Sequence, residues 1–209
     1  MNIVNLEQYN QKDYSIGVSM WQQLLWYFLG SPLVQSYWLP WSGIKVAILR
    51  CFGAEIGSQV RIKPGVRIKF PWRLKVGDHV WIGENAWLDN LALIEIADHV
   101  CISQAVYLCT GNHDWSSPQF DLRVAPIVIE DSAWIAAQSV VGPGVTIGQG
   151  AVLSLGSVAC QSLTALTIWS GNPAQPIKPR NLQLVDNPDQ QMTGQQMTTS
   201  LAREVYIPS

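Results

Sequence analysis

The sequence predicts an all-β solenoid, a coil of short parallel strands preceded by a helical, aromatic segment and followed by a tail. Three observations carry that expectation. Aliphatic residues recur every six positions, the residue after each is commonly small, and the beat runs from Ile56 to Leu153 with one long break. The beat falls on Ile56, Ile62 and Ile68, then Val76, Ile82 and Leu88, then Ile96, Ile102 and Leu108. After the break it continues at Ile129, Ile135, Val141, Ile147 and Leu153. A period of six is neither the 3.6 of a helix nor the two of a plain strand. Self-similarity at a fixed period is the mark of a repeat architecture.

Each element follows from that beat. Three hexads close one turn of about 18 residues, with one aliphatic per face pointing inward and turns stacked about 4.8 Å apart. Small residues after the aliphatic (Gly57, Gly77, Gly83, Ala97, Ser103) sit where the backbone turns sharply. Two extra residues separate the first triplet from the second and the second from the third, and they are expected as small insertions. Trp81, Trp87, Tyr107 and Trp134 take outward positions, so faces are expected to pack between copies in a closed ring. Residues 1–50 are expected to cap one end, 51–180 to form the coil, and 181–209 to trail from it. Between Tyr14 and Ile44 there is no charged residue. Gln22, Gln23, Gln35, Pro32 and Pro40 interrupt that stretch, so no run reaches the ~18–20 apolar residues of a membrane span. It reads as a short helix or two on the body of the protein. The alternative is peripheral membrane contact through residues 14–44, lying on the surface.

Composition excludes several classes. With 48% hydrophobic residues, 13% charged and ten tryptophans, the chain is no disordered polymer. A formal charge of −2 promises no basic patch, so nucleic acid is excluded as a partner. Cys51, Cys101, Cys109 and Cys160 show no metal-ligand spacing and read as thiols of a reducing compartment. The N-terminus MNIVNLEQYN lacks a basic leader, which makes the cytoplasm the expected location.

The break in the beat marks the site. Counted from Leu108, a hexad ends at His113, and the next begins at Ile129. Fifteen residues, 114–128, are therefore expected to leave the coil, and a loop of that length is uncommon unless functional. A histidine at its root is a candidate base, held on rigid strand beside a movable wall. Imidazole, with an ordinary pKa of about 6.5, can take a hydroxyl proton near neutrality. His79 and His99, 20 residues apart at equivalent positions, are expected to stack at one corner, as exposed turn residues rather than a metal pair.

Four stretches carry a resemblance: LRCFGAEIG (49–57), FPWRLKVGDHVWIGENAWLDNLA (70–92), CISQAVYLCTGNHDW (101–115) and SGNPAQPIKPR (170–180). Over roughly residues 45–180 the chain resembles the hexapeptide-repeat acyltransferases, in particular the colanic acid biosynthesis acetyltransferase group and the maltose, galactoside and nodulation O-acetyltransferases. The resemblance implies a left-handed parallel β-helix, a homotrimer, acetyl-CoA as donor without a metal, and a sugar hydroxyl as acceptor in exopolysaccharide assembly. It makes His113 the general base and places Asp89, with Asn90 beside it, against the acceptor. It sets the turns at Trp134, Ala136 and Ala137 and at Leu155 and Gly156 along the pantetheine arm. Cys160, Gln161 and Gln175 depart from the family pattern, which leaves Lys178 and Arg180 for the coenzyme's phosphates. Two rivals stand beside this reading. A γ-type carbonic anhydrase on the same coil needs three zinc histidines, which His79, His99 and His113 do not offer. A non-catalytic scaffold or carbohydrate-binding module needs only the coil.

Overall fold

The beat of six becomes a three-sided prism. In the computed structural model, which describes residues 4–9 and 14–182, short strands alternate among three parallel sheets. Face A holds β1 (Glu55–Ile56), β4 (Leu74–Val76), β7 (Ile94–Ile96), β12 (Ile127–Ile129) and β15 (Thr146–Ile147). Face B holds β2 (Arg61–Ile62), β5 (Trp81–Ile82), β8 (Cys101–Ile102), β13 (Trp134–Ile135), β16 (Val152–Leu153) and β18 (Thr167–Gly171). Face C holds β3 (Arg67–Ile68), β6 (Trp87–Asp89), β9 (Tyr107–Cys109), β14 (Val140–Val141) and β17 (Val158–Ala159).

Register explains the beat. Ile62, Ile82, Ile102, Ile135 and Leu153 are successive partners up face B, and each is buried. Every such side chain taken from water contributes about 1.5–3 kcal/mol. The small position is equally concrete: a Cβ on Gly83 would lie 2.5 Å from the Gln104 nitrogen of the next coil.

One expectation about the coil holds and one is corrected. The paired extra residues are insertions: partners on face B lie 20 residues apart from Ile62 to Ile82 and from Ile82 to Ile102, but 18 apart from Ile135 to Leu153. The extruded segment, however, ends sooner than the beat suggests. Leu74 partners Ile94, and Ile94 partners Ile127, so face A carries a second inward position two residues before the beat. Strand alternation turns both positions inward, and all three side chains are buried. The coil therefore resumes at Ile127 rather than Ile129.

The ends are closed by different means. α1 (Met20–Leu25) runs through a π turn (Trp26–Gly30) into α2 (Ser31–Gln35), and α3 (Ser42–Cys51) lies against the first coil. The first coil has no neighbour below, so its carbonyls need other donors. Arg50 donates to Ile56 at 2.6 Å and to Gly57 at 2.8 Å, and the buried Lys45 donates to Lys63 at 3.2 Å. Burial pushes the Lys45 ammonium below its ordinary pKa. At the far end β19 (Ala174–Pro179) folds back antiparallel on β18. Residues 183–209, most of the expected tail, lie outside the described residues. No helix among the described residues is long and apolar enough to cross a membrane.

Candidate active site

His113 does not root an irregular loop. It ends β10 (Gly111–His113), which pairs antiparallel with β11 (Leu122–Val124), so the extruded segment is a hairpin at the edge between faces C and A. Side chains of the hairpin lock its tip. Asp114 accepts from the Ser116 nitrogen at 3.0 Å and its hydroxyl at 2.5 Å, Arg123 pairs with Asp114, and the Ser117 hydroxyl donates to Asp121 at 2.6 Å. The Ser116 hydroxyl, its amide and the Arg123 guanidinium hold the Asp114 carboxyl below the usual carboxylate range.

That tip orients the imidazole. Phe120 adopts a left-handed φ of 54°, and its carbonyl lies 2.8 Å from His113 Nδ1. A carbonyl only accepts, so Nδ1 carries the hydrogen and Nε2 keeps its lone pair. The Phe120 ring stacks on the imidazole at 4.3 Å and 7°, and Tyr9 lies 5.7 Å away. His113 is half-buried at the wall of a cleft of about 1000 Å³, between the hairpin and the coil residues Gly142, Pro143 and Cys160. Asn5 donates to Pro118 at 2.8 Å, and the Tyr14 hydroxyl to Leu91 at 2.9 Å, so N-terminal residues run beside this edge.

Asp89 ends β6 on the same face and edge, and it partners Cys109 four residues before His113. Its carboxylate is buried against Lys69 at 2.9 Å and accepts the Tyr107 hydroxyl at 3.0 Å. Burial first, then Cys109 and Asp89, push the Tyr107 phenol well above its ordinary pKa, so it stays a donor. Asn90 stands differently. Fully buried, it accepts from the Phe70 nitrogen at 2.9 Å and donates to the carbonyls of Phe70 at 2.6 Å and Arg73 at 3.0 Å. Its amide frames the edge and leaves no hydrogen for a ligand.

The remaining candidates lie elsewhere on the prism. Trp134, Ala136 and Ala137 occupy the edge between faces B and C, with Leu155 and Gly156 one coil above; Gly156 donates to Ala137 at 3.0 Å. Arg180 sits at the edge between faces A and B, its guanidinium on the carbonyls of Ser132 and Gly150, both at 2.9 Å. Those bonds make Arg180 a clamp on the coil. Lys178 is exposed on β19. One chain thus joins His113 and Asp89 at one edge and holds the expected pantetheine turns at another. Among the described residues no three His, Cys, Asp or Glu gather as metal ligands would. Sequence reading missed Phe120, Lys69, Tyr107 and Tyr9. Of these only Tyr107 carried a signal, as an outward aromatic.

Comparison with known proteins gives these edges a context. No family model matches the chain. The protein provisionally named colanic acid biosynthesis acetyltransferase WcaF, from Escherichia coli K12, is 41% identical over 153 residues, covering 73% of this chain and 81% of the relative. The chain belongs to the hexapeptide-repeat acetyltransferases. A member from Vibrio cholerae, solved with acetyl coenzyme A, superposes with a TM-score of 0.70 at 27% identity, over 77% of this chain and 88% of that one. A maltose O-acetyltransferase from Clostridium difficile has the same fold, with a TM-score of 0.61 at 23% identity over 78% and 86%. The chain is accordingly an acetyltransferase.

Proposed function

We propose that this acetyltransferase moves the acetyl group of acetyl-CoA to a sugar hydroxyl during exopolysaccharide assembly, with His113 as general base, and works as a homotrimer. One observation carries the chemistry: the Phe120 carbonyl accepts from Nδ1–H of an imidazole that lines the cleft, which puts the lone pair of the neutral ring on Nε2. The acceptor hydroxyl, held near Asp89, gives its proton to Nε2 as its oxygen attacks the thioester carbonyl. Backbone N–H groups stabilise the resulting oxyanion. The tetrahedral intermediate collapses with loss of the CoA thiolate, which takes the proton back from the imidazolium. Atoms and charge balance without a metal.

The trimer is supported by where the groups lie. His113 and the turns at Ala137 and Gly156 occupy different edges of one prism, and a closed threefold ring sets the edge of one subunit against a different edge of the next. The donor would lie in that groove. The relatives' names support the substrates: an exopolysaccharide acetyltransferase by sequence, and a solved member with acetyl-CoA by fold. The test is acetyl transfer from acetyl-CoA to a panel of sugars, nucleotide sugars and lipid-linked glycans. Transfer to at least one is expected, and it should fall by about 10²-fold or more in His113→Ala. Ordinary turnover in that variant would end the assignment.

A further inference from the structure

The N-terminal helical segment is apolar on two sides, and only one of them is used. Trp26, Gly30 and Val34, spaced four apart, are buried against the body. Trp21, Leu25, Phe28 and Leu29, at i, i+4, i+7 and i+8, face outward, with Trp21 76% and Phe28 66% exposed. The loop after α2 continues the surface with Trp38, 94% exposed, and Trp41. A helix apolar all round is ordinarily covered on both sides.

Charge says by what. Eight of the thirteen Lys and Arg residues fall between positions 45 and 75, against a single acid, Glu55, in a chain of formal charge −2. The overall charge thus conceals the basic patch that composition seemed to exclude. Among the described residues Lys69 and Lys75 meet acids, while Arg61, Lys63 and Arg67 are exposed and pair with none. These three flank the aromatic segment. Gly65 donates to the Gln35 carbonyl at 2.9 Å, Ile62 to the Ser42 hydroxyl at 3.0 Å, and the Tyr37 hydroxyl to Asn85 at 2.6 Å. Arg67 lines a cavity of about 480 Å³ with Tyr27, Phe70 and Trp87 beneath the helix.

We infer that residues 20–41, with their basic collar, dock on an anionic phospholipid surface. Trp and Tyr suit the headgroup layer, the outward Leu and Phe the acyl boundary, and Arg61, Lys63 and Arg67 the lipid phosphates. A second copy meeting this face through the same face would set one basic collar against another, which disfavours it. The inference is independent of which sugar is the acceptor.

The test is flotation of the full-length protein with phosphatidylcholine vesicles, with and without phosphatidylglycerol. Sedimentation velocity reports the oligomer in parallel. Phosphatidylglycerol should strengthen binding by about tenfold or more. Lys63→Glu with Arg67→Glu should abolish that gain, and Phe28→Ser with Trp38→Ser should abolish binding to both vesicles, all at unchanged oligomer size. Wild-type protein that ignores phosphatidylglycerol vesicles would overturn the inference, as would full binding by either double variant. Release of smaller species by Phe28→Ser with Trp38→Ser would also overturn it, by showing that another copy covers the patch.

Discussion

His79 and His99 stand at regular corners between faces A and B, whereas His113 stands on a hairpin between faces C and A. The first two have left-handed φ values of 57° and 58°, and their rings stack 5.0 Å apart at 2°. They are repeat residues whose partners are each other. His113 instead has its ring sandwiched against Phe120 and one nitrogen tied to a carbonyl. The same side chain fills a corner in one place and, in the proposed mechanism, serves as the base in the other. All three line cavities, of about 470 Å³ at the corner and about 1000 Å³ beside the hairpin. The hairpin makes the difference, because it brings a carbonyl acceptor to Nδ1 of His113.

Substitutions sharpen this contrast. His113→Ala should lower kcat by about 10²-fold or more, while His79→Asn, which keeps the left-handed corner, should leave it unchanged within a factor of about two. Steady-state kinetics on both variants measures the pair; equal losses would erase the distinction. Asp89→Asn, on the same edge as His113, should raise the acceptor KM about tenfold, since the charge-assisted partners Lys69 and Tyr107 lose their carboxylate. Next comes the carbonyl that orients the imidazole. Phe120→Val disfavours the left-handed backbone by about 1–2 kcal/mol and should lower kcat up to about tenfold. Phe120→Gly, which keeps that backbone, should cost only a few-fold through lost stacking. A larger loss in Phe120→Gly than in Phe120→Val would show that the ring, not the carbonyl, matters.

The smallest effect is a response to pH shared by both regions. Hydrogen bonds from Ser58 hold Asp78 low at the corner beneath His79, as those from Ser116 hold Asp114 low on the hairpin. Both pKa values are depressed on folding, so the stabilisation is present above the ordinary aspartate value of about 3.9 and is lost as pH falls through the folded values. The Ser58 and Ser116 amide resonances should accordingly each show a carboxylate step below about pH 4. Absence of a step below about pH 4 at either amide would contradict the assigned bonds.

Much of this was legible in the sequence, and the reasons are physical. One inward aliphatic per face leaves a period that survives in the letters, so the coil, its axis and the stacking of His79 on His99 could all be read. His113 was legible because it ends the period. The hairpin was not, since β10 and β11 pair through backbone groups, and Asn112 opposite Arg123 gives no alternating pattern. Phe120 was hidden for a related reason: its contribution is a carbonyl, and a left-handed phenylalanine has no glycine to announce it. Ile127 was in plain view but was counted with the extruded residues, because it and its partner Ile94 lie two positions before the beat. Asn90 and Arg180 show what the letters cannot: both side chains hold backbone groups of the coil. The edges of the coil expose backbone groups that need polar partners, a demand the sequence pattern does not record.

The most direct measurement is the tautomer of His113, read from long-range proton–nitrogen correlations in the ¹⁵N-imidazole-labelled protein at neutral pH. A neutral ring protonated on Nδ1, with Nε2 bare, is the expected result. A ring carrying its hydrogen on Nε2 would leave no lone pair toward the acceptor hydroxyl and would contradict its role as the base.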